Sequence, residues 1–226
     1  MGITKFTLKK IQPLLKWGFD YYLSKPRKYK FKGLNLQVYP SVFHPGFFYS
    51  TKIFINFLNT INLKGKTVLE LGCGSGMISL FLSRKSAVVT ATDINKTAVE
   101  NTKKNAELNR LKLEVIESDL FEKVDGNQFD CIIINPPYYP KKPQNEKEMA
   151  WFCGEDHEYF QKLFNQMNEF KLAKTSIYMI LCEGCDLDRI KSIGNHFKFG
   201  FELVHDIKKD GEWNYIFKIS QNQGMK

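Results

Sequence analysis

The tetrapeptide Asn135-Pro136-Pro137-Tyr138 carries the most specific chemical signal in the sequence. The Asn135 side-chain oxygen and the Pro136 carbonyl can accept the two hydrogens of an amino group, which holds the nitrogen and frees its lone pair. Both oxygens also stabilise the positive charge that develops as that nitrogen attacks an electrophile. The tetrapeptide is therefore suited to activating a planar amide or ring-bound NH2 group, whose lone pair is otherwise delocalised.

The other residues of this motif supply rigidity and a stacking surface. Pro137 restricts Pro136 to extended geometry, and both rings fix φ at about −65°, so the acceptors are in place before a substrate arrives. Tyr138 offers a flat face to a planar amide or base, and Tyr139 can extend that face. The structural alternative is a strand that simply ends at two prolines.

A glycine-rich turn follows an earlier apolar run, and it reads Glu70-Leu71-Gly72-Cys73-Gly74-Ser75-Gly76. Glycine allows backbone angles and a close ligand approach that a Cβ would forbid, and the following helix supplies unpaired N–H groups. The dinucleotide pattern G-x-G-x-x-G would require a glycine at position 77, which this chain lacks. We predict a site for a small nucleotide-like ligand, with a plain packing turn as the alternative.

The segments around these motifs alternate between strand and helix patterns, which predicts an α/β fold. A carboxylate, Asp93, ends the second of these strands, where it can accept hydrogen bonds from both hydroxyls of a ribose. Asn95 and Ser50 are candidate helix N-caps. Strands are predicted over residues 66–71, 87–93, 112–118, 128–135, 176–183, 199–209 and 214–220. Helices are predicted from about residue 50, over 76–84, 95–109 and 186–197, and from the WFCGEDHEYF segment to about residue 172.

The net charge of +9 is concentrated at the start of the chain. Residues 1–32 contain nine cations and one anion, which gives +8. Aromatic residues are interleaved with these cations, a mixture suited to a phosphate backbone or ribosomal RNA. An amphipathic helix that packs on the domain is the alternative. We expect residues 1–45 to form a basic helical arm with a strand or hairpin cap, and residues 46–226 to form the main domain.

Neither a membrane span nor a secretion signal is evident, so we expect a cytoplasmic protein with no membrane contact. An odd number of cysteines, five, favours reduced thiols over a disulfide framework. Cys153, His157, Cys182 and Cys185 form a conceivable zinc set, but their spacing matches no familiar module, and we expect no metal.

The order LELGCGSG, TATD, SDLFE, INPPYY closely resembles class I S-adenosylmethionine-dependent N-methyltransferases that act on planar amino groups. The resemblance implies a Rossmann-like, mostly parallel seven-stranded sheet whose last strand is antiparallel. It implies catalysis by Asn135, Pro136, Pro137 and Tyr138, with Asp119 accepting from the adenine amine and Leu120 covering the ring. Residues implied to hold S-adenosylmethionine are Glu70, Gly72, Cys73, Gly74, Gly76, Asp93, Ile94, Asp119, Leu120 and Asn135.

That group includes glutamine methyltransferases of release factors and amino methyltransferases of adenine and guanine. Cys153-Gly154-Glu155-Asp156, followed by Tyr159-Phe160, looks like a segment of the glutamine enzymes, although an acidic helix start would explain it equally. Before the main domain, where those enzymes have a larger helical domain, we expect a short basic arm and hairpin. In place of their Arg-Pro-Glu-Thr-Glu-like loop, the sequence has His44-Pro45-Gly46 and Ser50-Thr51. His44 would contact substrate or make only a structural hydrogen bond.

We therefore expect methylation of a macromolecule and favour a glutamine amide in a translation factor. A nucleobase amine in ribosomal RNA, transfer RNA or DNA is the alternative substrate. From other classes, an inactive cofactor-binding module that binds RNA or the ribosome and a nicotinamide-dependent oxidoreductase are further alternatives.

Overall fold

The computed structural model describes residues 24–125, 128–170, 172 and 174–222. The helical stretch predicted near the N-terminus, with most of the basic arm, lies outside these residues. Within the described ranges, no helix is long and apolar enough to cross a membrane.

Nine strands and six helices form the described structure. The strands are β1 (Arg27–Phe31), β2 (Leu34–Val38), β3 (Thr67–Leu71), β4 (Val88–Asp93), β5 (Glu114–Glu117), β6 (Cys131–Ile134), β7 (Ser176–Cys182), β8 (Phe199–Lys209) and β9 (Glu212–Gln221). The helices are α1 (Ser50–Leu58), α2 (Met77–Arg84), α3 (Lys96–Asn109), α4 (Glu146–Met149), α5 (Glu158–Glu169) and α6 (Leu187–His196).

Seven strands form one sheet in the order β5-β4-β3-β6-β7-β9-β8. The first five run parallel to their neighbours, whereas β9 is antiparallel to both β7 and β8. This confirms the predicted fold class, including the antiparallel last strand. Because the five parallel strands end at the same edge, the loops that follow β3, β4, β5 and β6 come together there.

The core fills both faces of the sheet, and β6 shows how. Ile132 and Ile134 belong to the cluster under α5 and α6, whereas Cys131 and Ile133 face the cluster under α1 and α2. All four residues are at most 1% exposed. A strand that is apolar at every position is the pattern of a central strand covered on both faces, as the sequence predicted.

The β1–β2 hairpin is attached to the main sheet through α3. Asn101, Asn105 and Asn109 are spaced by four and so share one face of this helix. Their amides pair with backbone N–H and C=O groups of residues 35, 37 and 39 at 2.6–3.0 Å. The helix thereby satisfies the hairpin edge as a neighbouring strand would. We call these three residues the asparagine ladder.

Two local predictions about helix starts have different outcomes. Asn95 is the N-cap of α3, since its side chain accepts a hydrogen bond from Thr97 N–H at 2.8 Å. The prediction for Ser50 is wrong, because Tyr49 is the N-cap position and makes no side-chain cap. Ser50 is instead the first helical residue and is buried. The helix predicted from WFCGEDHEYF begins only at Glu158.

Candidate active site

A cavity of about 450 Å³ opens at the carboxyl ends of the parallel strands. It lies where the chain order reverses, because β4 and β5 extend the sheet on one side of β3, and β6 and β7 extend it on the other. Open α/β sheets bind ligands at such a switch point. Predicted site residues in its wall are Glu70, Gly72, Cys73, Gly74, Asp93, Ile94, Asp119, Leu120, Asn135, Pro136, Pro137 and Tyr138.

The glycine turn after β3 is held in place by the next strand. The N–H groups of Gly72 and Cys73 donate to the Thr92 carbonyl at 2.9 and 2.8 Å, and Gly74 N–H donates to Asp93 Oδ2 at 2.8 Å. Gly72 has φ 75°, and a Cβ built on it would meet nothing within 4 Å. The space beside this backbone therefore belongs to the cavity and suits close approach of a ligand.

Gly76 differs from the other glycines of this turn, because it does not line the cavity. It is the N-cap of α2 with φ 77°, and a Cβ there would lie 2.7 Å from Thr102 Cγ2. Close packing against α3 therefore requires glycine at this position. Asn105 of the asparagine ladder also donates to the Ser75 carbonyl at 2.9 Å, which ties the hairpin to the same turn.

Two carboxyl side chains lie beside the turn, and Glu70 is buried whereas Asp93 is half-buried. Glu70 accepts hydrogen bonds from Ser79 N–H at 2.8 Å and from the Ser79 hydroxyl, yet burial raises the pKa of Glu70 to about 8. Asp93 Oδ1 accepts from Asn95 N–H at 2.9 Å. Burial raises the pKa of Asp93 above its ordinary value, and its backbone hydrogen bonds oppose that shift. Each Asp93 oxygen can still accept a further hydrogen bond from a ligand hydroxyl.

Asp119 and Leu120 lie in the loop after β5, as predicted. Leu120 has φ 56° and is buried, so the local turn directs it into the cavity wall. Asp119 Oδ2 forms an ion pair with Lys162 Nζ of α5 at 2.5 Å, and Glu122 binds the same ammonium at 2.6 Å. The second Asp119 oxygen is left for an amino donor, and Lys162 fixes the orientation of the carboxylate.

Asn135 follows β6 and has a specific orientation. Its Nδ2 donates to Thr51 Oγ1 of α1 at 3.4 Å. Among the described residues, no donor reaches Asn135 Oδ1 or the Pro136 carbonyl. Since Thr51 also lines the cavity, it directs the amide so that the acceptor oxygen remains available there. The two acceptors required by the proposed chemistry therefore lie together in one wall.

The tyrosines of this motif are held by the loop that follows them. Tyr138 and Tyr139 N–H groups donate to the Trp151 carbonyl at 3.2 and 3.0 Å. The Trp151 ring lies 4.9 Å from Phe43 and 4.4 Å from Phe48, measured between centroids. These three rings form an aromatic cluster that joins the segment before α1 to the segment before α5. Trp151 and Phe43 line the cavity, so its wall near Asn135 is largely aromatic.

The Tyr138 ring is supported from the side of β7. It packs against the core cluster that contains Cys182 and Cys185, and burial together with the nearby Cys182 thiol raises the pKa of Tyr138 well above its ordinary value. Tyr139 stands edge-on to Tyr138 with centroids 4.8 Å apart, and it is 38% exposed. Tyr138 is therefore the better placed of the two for stacking, because its ring rests on the core.

The segment Cys153-Gly154-Glu155-Asp156 precedes α5 and so is not its first turn. Cys153, Gly154 and Tyr159 line the cavity, whereas Glu155 and Asp156 are exposed and Phe160 is in the core. An acidic helix start therefore explains Glu155 and Asp156 less well, because the acidic residue in the first turn of α5 is Glu158.

His44 does not line the cavity. Its Nδ1 accepts from Gly46 N–H at 3.1 Å, and its ring packs against Tyr29 and Phe47. Burial lowers the pKa of His44. These contacts favour the structural role for this histidine. Within the described chain, no cluster of three or more potential ligands could hold a metal ion.

Sequence reasoning missed Thr51, Lys162 and Trp151. In the sequence, Thr51 stands out only because it departs from the Arg-Pro-Glu-Thr-Glu-like loop, and Trp151 only as part of a predicted helix start. Lys162 belongs to a regular amphipathic helix and carries no local signal. Thr51 and Lys162 act on motifs 84 and 43 residues away. Trp151 joins the nearby Tyr138 to the distant Phe43, and these pairings are visible only in three dimensions.

Comparison with known families assigns the chain to one of them. The model of the methyltransferase small domain matches residues 34–161, which is more than half of the chain. The chain therefore belongs to this methyltransferase family, as the sequence motifs indicated.

Two relatives are similar to this chain over part of its length. A protein named N5-glutamine methyltransferase from Methanocaldococcus jannaschii is 40% identical over 110 residues, which is 48% of this chain and 53% of that protein. The ribosomal RNA small subunit methyltransferase C of Haemophilus influenzae is 43% identical over 86 residues, which is 36% of this chain and 26% of that protein. The chain thus spans about half the length of the first relative and about a quarter of the second.

A solved structure shows the same fold. The Mtq2-Trm112 complex of E. cuniculi, described as responsible for methylation of the eRF1 translation termination factor, superposes with a TM-score of 0.62 at 21% identity. The match covers 80% of this chain and 99% of that chain.

Proposed function

We propose that this protein is an S-adenosylmethionine-dependent N-methyltransferase that acts on a planar NH2 group of a macromolecule. The observation that carries the proposal is the position of Asn135 and the Pro136 carbonyl. They lie in the wall of the cavity that the glycine turn and Asp93 also line. A family of methyltransferases and a motif suited to amino groups therefore support the same chemistry.

The residues at the glycine turn fit the cofactor. Gly72 leaves open space beside its backbone, and Asp93 is fixed by backbone donors with lone pairs to spare. Leu120 and Ile94 offer apolar surface, and Asp119 an acceptor, for the adenine. When bound, S-adenosylmethionine supplies a methyl group on a positively charged sulfur. An ionised Glu70 would attract such a cation electrostatically. Burial raises the pKa of Glu70.

The acceptor residues prepare the nitrogen for attack. Asn135 Oδ1 and the Pro136 carbonyl take the two amino hydrogens and stabilise the cation that forms. Tyr138 stacks on the planar group, and the surrounding rings exclude water. The methylated nitrogen loses its proton to solvent as the product leaves the cavity, so neither a metal nor a nucleophilic cysteine is needed.

We favour a glutamine side chain in a translation factor as the acceptor. The glutamine methyltransferase relative aligns over 110 residues, and the segment that resembles the glutamine enzymes contributes Cys153 and Gly154 to the cavity wall. A nucleobase amine is the second candidate. The aromatic cluster favours it, because rings such as Trp151 stack on bases. If the substrate is a nucleobase, we expect the basic arm to contact RNA or a ribosome. If the substrate is a glutamine, a partner protein could take part, as in the E. cuniculi complex.

The test is transfer of labelled methyl groups into a lysate from cells that lack this protein, followed by separation of protein from nucleic acid. Label in a protein of release-factor size would support the glutamine acceptor. Label in RNA would overturn it in favour of a nucleobase, and transfer should then fall steeply with salt. Label in neither fraction, despite cofactor binding measured by calorimetry, would contradict the proposed activity.

Asn135→Ala should reduce transfer by at least about 100-fold, because it removes an acceptor that is needed in the transition state. Affinity for S-adenosylmethionine should stay within a few fold of the wild-type value in calorimetry. Asn62→Ala is a matched control, since Asn62 is exposed and far from the cavity wall. Full activity of Asn135→Ala would refute the mechanism.

A further inference from the structure

Two thiols that the proposed chemistry does not use lie side by side behind the acceptor motif. The sulfurs of Cys182 and Cys185 are 3.7 Å apart, and Cys182 N–H donates to Cys185 Sγ at 3.2 Å. Both side chains are buried. The other three cysteines make no contact with a second sulfur among the described residues.

The backbone between the two thiols has a shape that permits a covalent bond. Cys185 N–H donates to the Cys182 carbonyl at 3.0 Å, which closes a β-turn around Glu183 and Gly184. The ends of such a turn lie within about 7 Å between Cα atoms, which reaches the range found in disulfides. Glu183 and Gly184 are exposed, so the pair lies just beneath the surface.

Cys182 is the more reactive member of the pair. Hydrogen bonding from Cys185 lowers the pKa of the Cys182 thiol, the Tyr138 hydroxyl adds to that effect, and burial opposes it. The pKa of Cys185 is raised, chiefly by the same sulfur–sulfur hydrogen bond. A thiol that ionises more readily, beside one that ionises less readily, is the arrangement in which one sulfur reacts first and the other resolves it.

We infer that Cys182 and Cys185 form a site of reversible oxidation that controls how Tyr138 is held. Cys182 attacks a hydroperoxide, which breaks the O–O bond and releases water or an alcohol. Cys185 then attacks the resulting sulfenic acid, forms the S–S bond and displaces a second water. In total, two thiols lose two electrons and two protons to the peroxide, and a dithiol reductant reverses the reaction.

The consequence for Tyr138 follows from its packing against these cysteines. On oxidation the Cys182 sulfur moves towards Cys185, so the surface against which the Tyr138 ring packs changes shape. The stacking ring is then less firmly placed, and transfer slows. This second step rests on the proposed function, whereas formation of the disulfide does not.

The experiment treats the reduced protein with diamide, which takes the same two electrons and protons at its N=N bond without forming sulfenic acid. After alkylation and trypsin digestion, both cysteines lie in one peptide, residues 175–189. We expect this peptide to carry no alkyl group and to weigh two hydrogens less than the reduced form. We expect transfer to fall about three- to tenfold, because a displaced stacking ring aligns the acceptor group less well, and to return with dithiothreitol.

Cys185→Ser is the informative variant, because it keeps Cys182 beside Tyr138 and removes the resolving thiol. Its transfer should match the reduced wild type and should not respond to diamide. A peptide that still takes two alkyl groups would overturn the oxidation site. A disulfide without loss of transfer, or equal inhibition of Cys185→Ser, would overturn control through Tyr138. Absence of transfer by the reduced protein would contradict the proposed function while leaving the disulfide result intact.

Discussion

The two ends of the cavity are built by different means. At the end near the glycine turn, backbone N–H groups, carboxyl groups and the asparagine ladder form directional hydrogen bonds at 2.6–3.0 Å. At the end near Asn135, aromatic rings from two loops pack in tilted and edge-on pairs, with centroids 4.4–5.0 Å apart.

This difference corresponds to two kinds of ligand. Directional hydrogen bonds with fixed backbone geometry suit one invariant molecule, since they lose their value when the partner moves. Aromatic surfaces contribute apolar area and tolerate a change of orientation. We infer that the first end is specialised for the cofactor, whereas the second end can receive a side chain or base that arrives with a larger molecule.

The largest expected effect concerns the buried carboxyl of Glu70 at the cofactor end. Its folded pKa of about 8 lies above its ordinary value of 4.5. The stability it contributes is therefore present below about pH 4.5 and lost as the pH rises through 8, by about 5 kcal/mol. Glu70→Gln should remove this loss, so that the variant unfolds at higher denaturant concentration than the wild type at pH 8 but not at pH 5. Parallel curves for both proteins across this range would contradict the assignment.

The glycines of the turn separate packing from ligand contact. Gly76→Ala should cost about 3 kcal/mol of stability, because it adds a contact with Thr102 to the strain of a positive φ. Gly72→Ala has the same backbone strain without the collision, so its loss of stability should be about half as large. Its cofactor affinity in calorimetry should nevertheless fall more than that of Gly76→Ala, measured below the melting temperature of both. The reverse order of affinities would show that the cavity wall is misplaced.

The asparagine ladder tests whether the hairpin supports the cofactor end. Asn105→Ala leaves backbone groups of Gln37 and Ser75 without partners and should cost about 2 kcal/mol in chemical denaturation. Asn109→Ala, at the exposed end of the ladder, should cost about 0.5 kcal/mol. Cofactor affinity should fall only for Asn105→Ala, because only this asparagine contacts the glycine turn. An equal loss of cofactor affinity in both variants would show that the hairpin does not support the site through Asn105.

The smallest expected effect is at the acceptor end. Thr51→Val removes the hydroxyl that orients Asn135 and should lower kcat about tenfold, with little change in cofactor affinity. Thr51→Ser keeps the hydroxyl and should recover most of the rate. If the serine variant is as slow as the valine variant, the methyl group of Thr51 matters and the hydrogen bond does not.

The sequence alone determined the fold class and the motifs that contribute twelve residues to the cavity wall. Alternation of strands and helices, the glycine turn, Asp93 and the Asn-Pro-Pro-Tyr motif are local patterns, and parallel strands bring their carboxyl ends to one edge. Local patterns were less informative at Ser50, where burial of the hydroxyl in the helix outcompeted capping.

Only the tertiary structure decided which side chains act on these motifs. Thr51 and Asn135 are 84 residues apart, Asp119 and Lys162 are 43 apart, and Asn105 reaches the hairpin across 68 residues. The turn pattern predicts that Gly76 binds the ligand with the other glycines. In the structure Gly76 packs against Thr102, where a side chain would not fit between α2 and α3. Such pairs depend on helix position and side-chain rotamers set by the whole core, and no segment of the chain contains that information by itself.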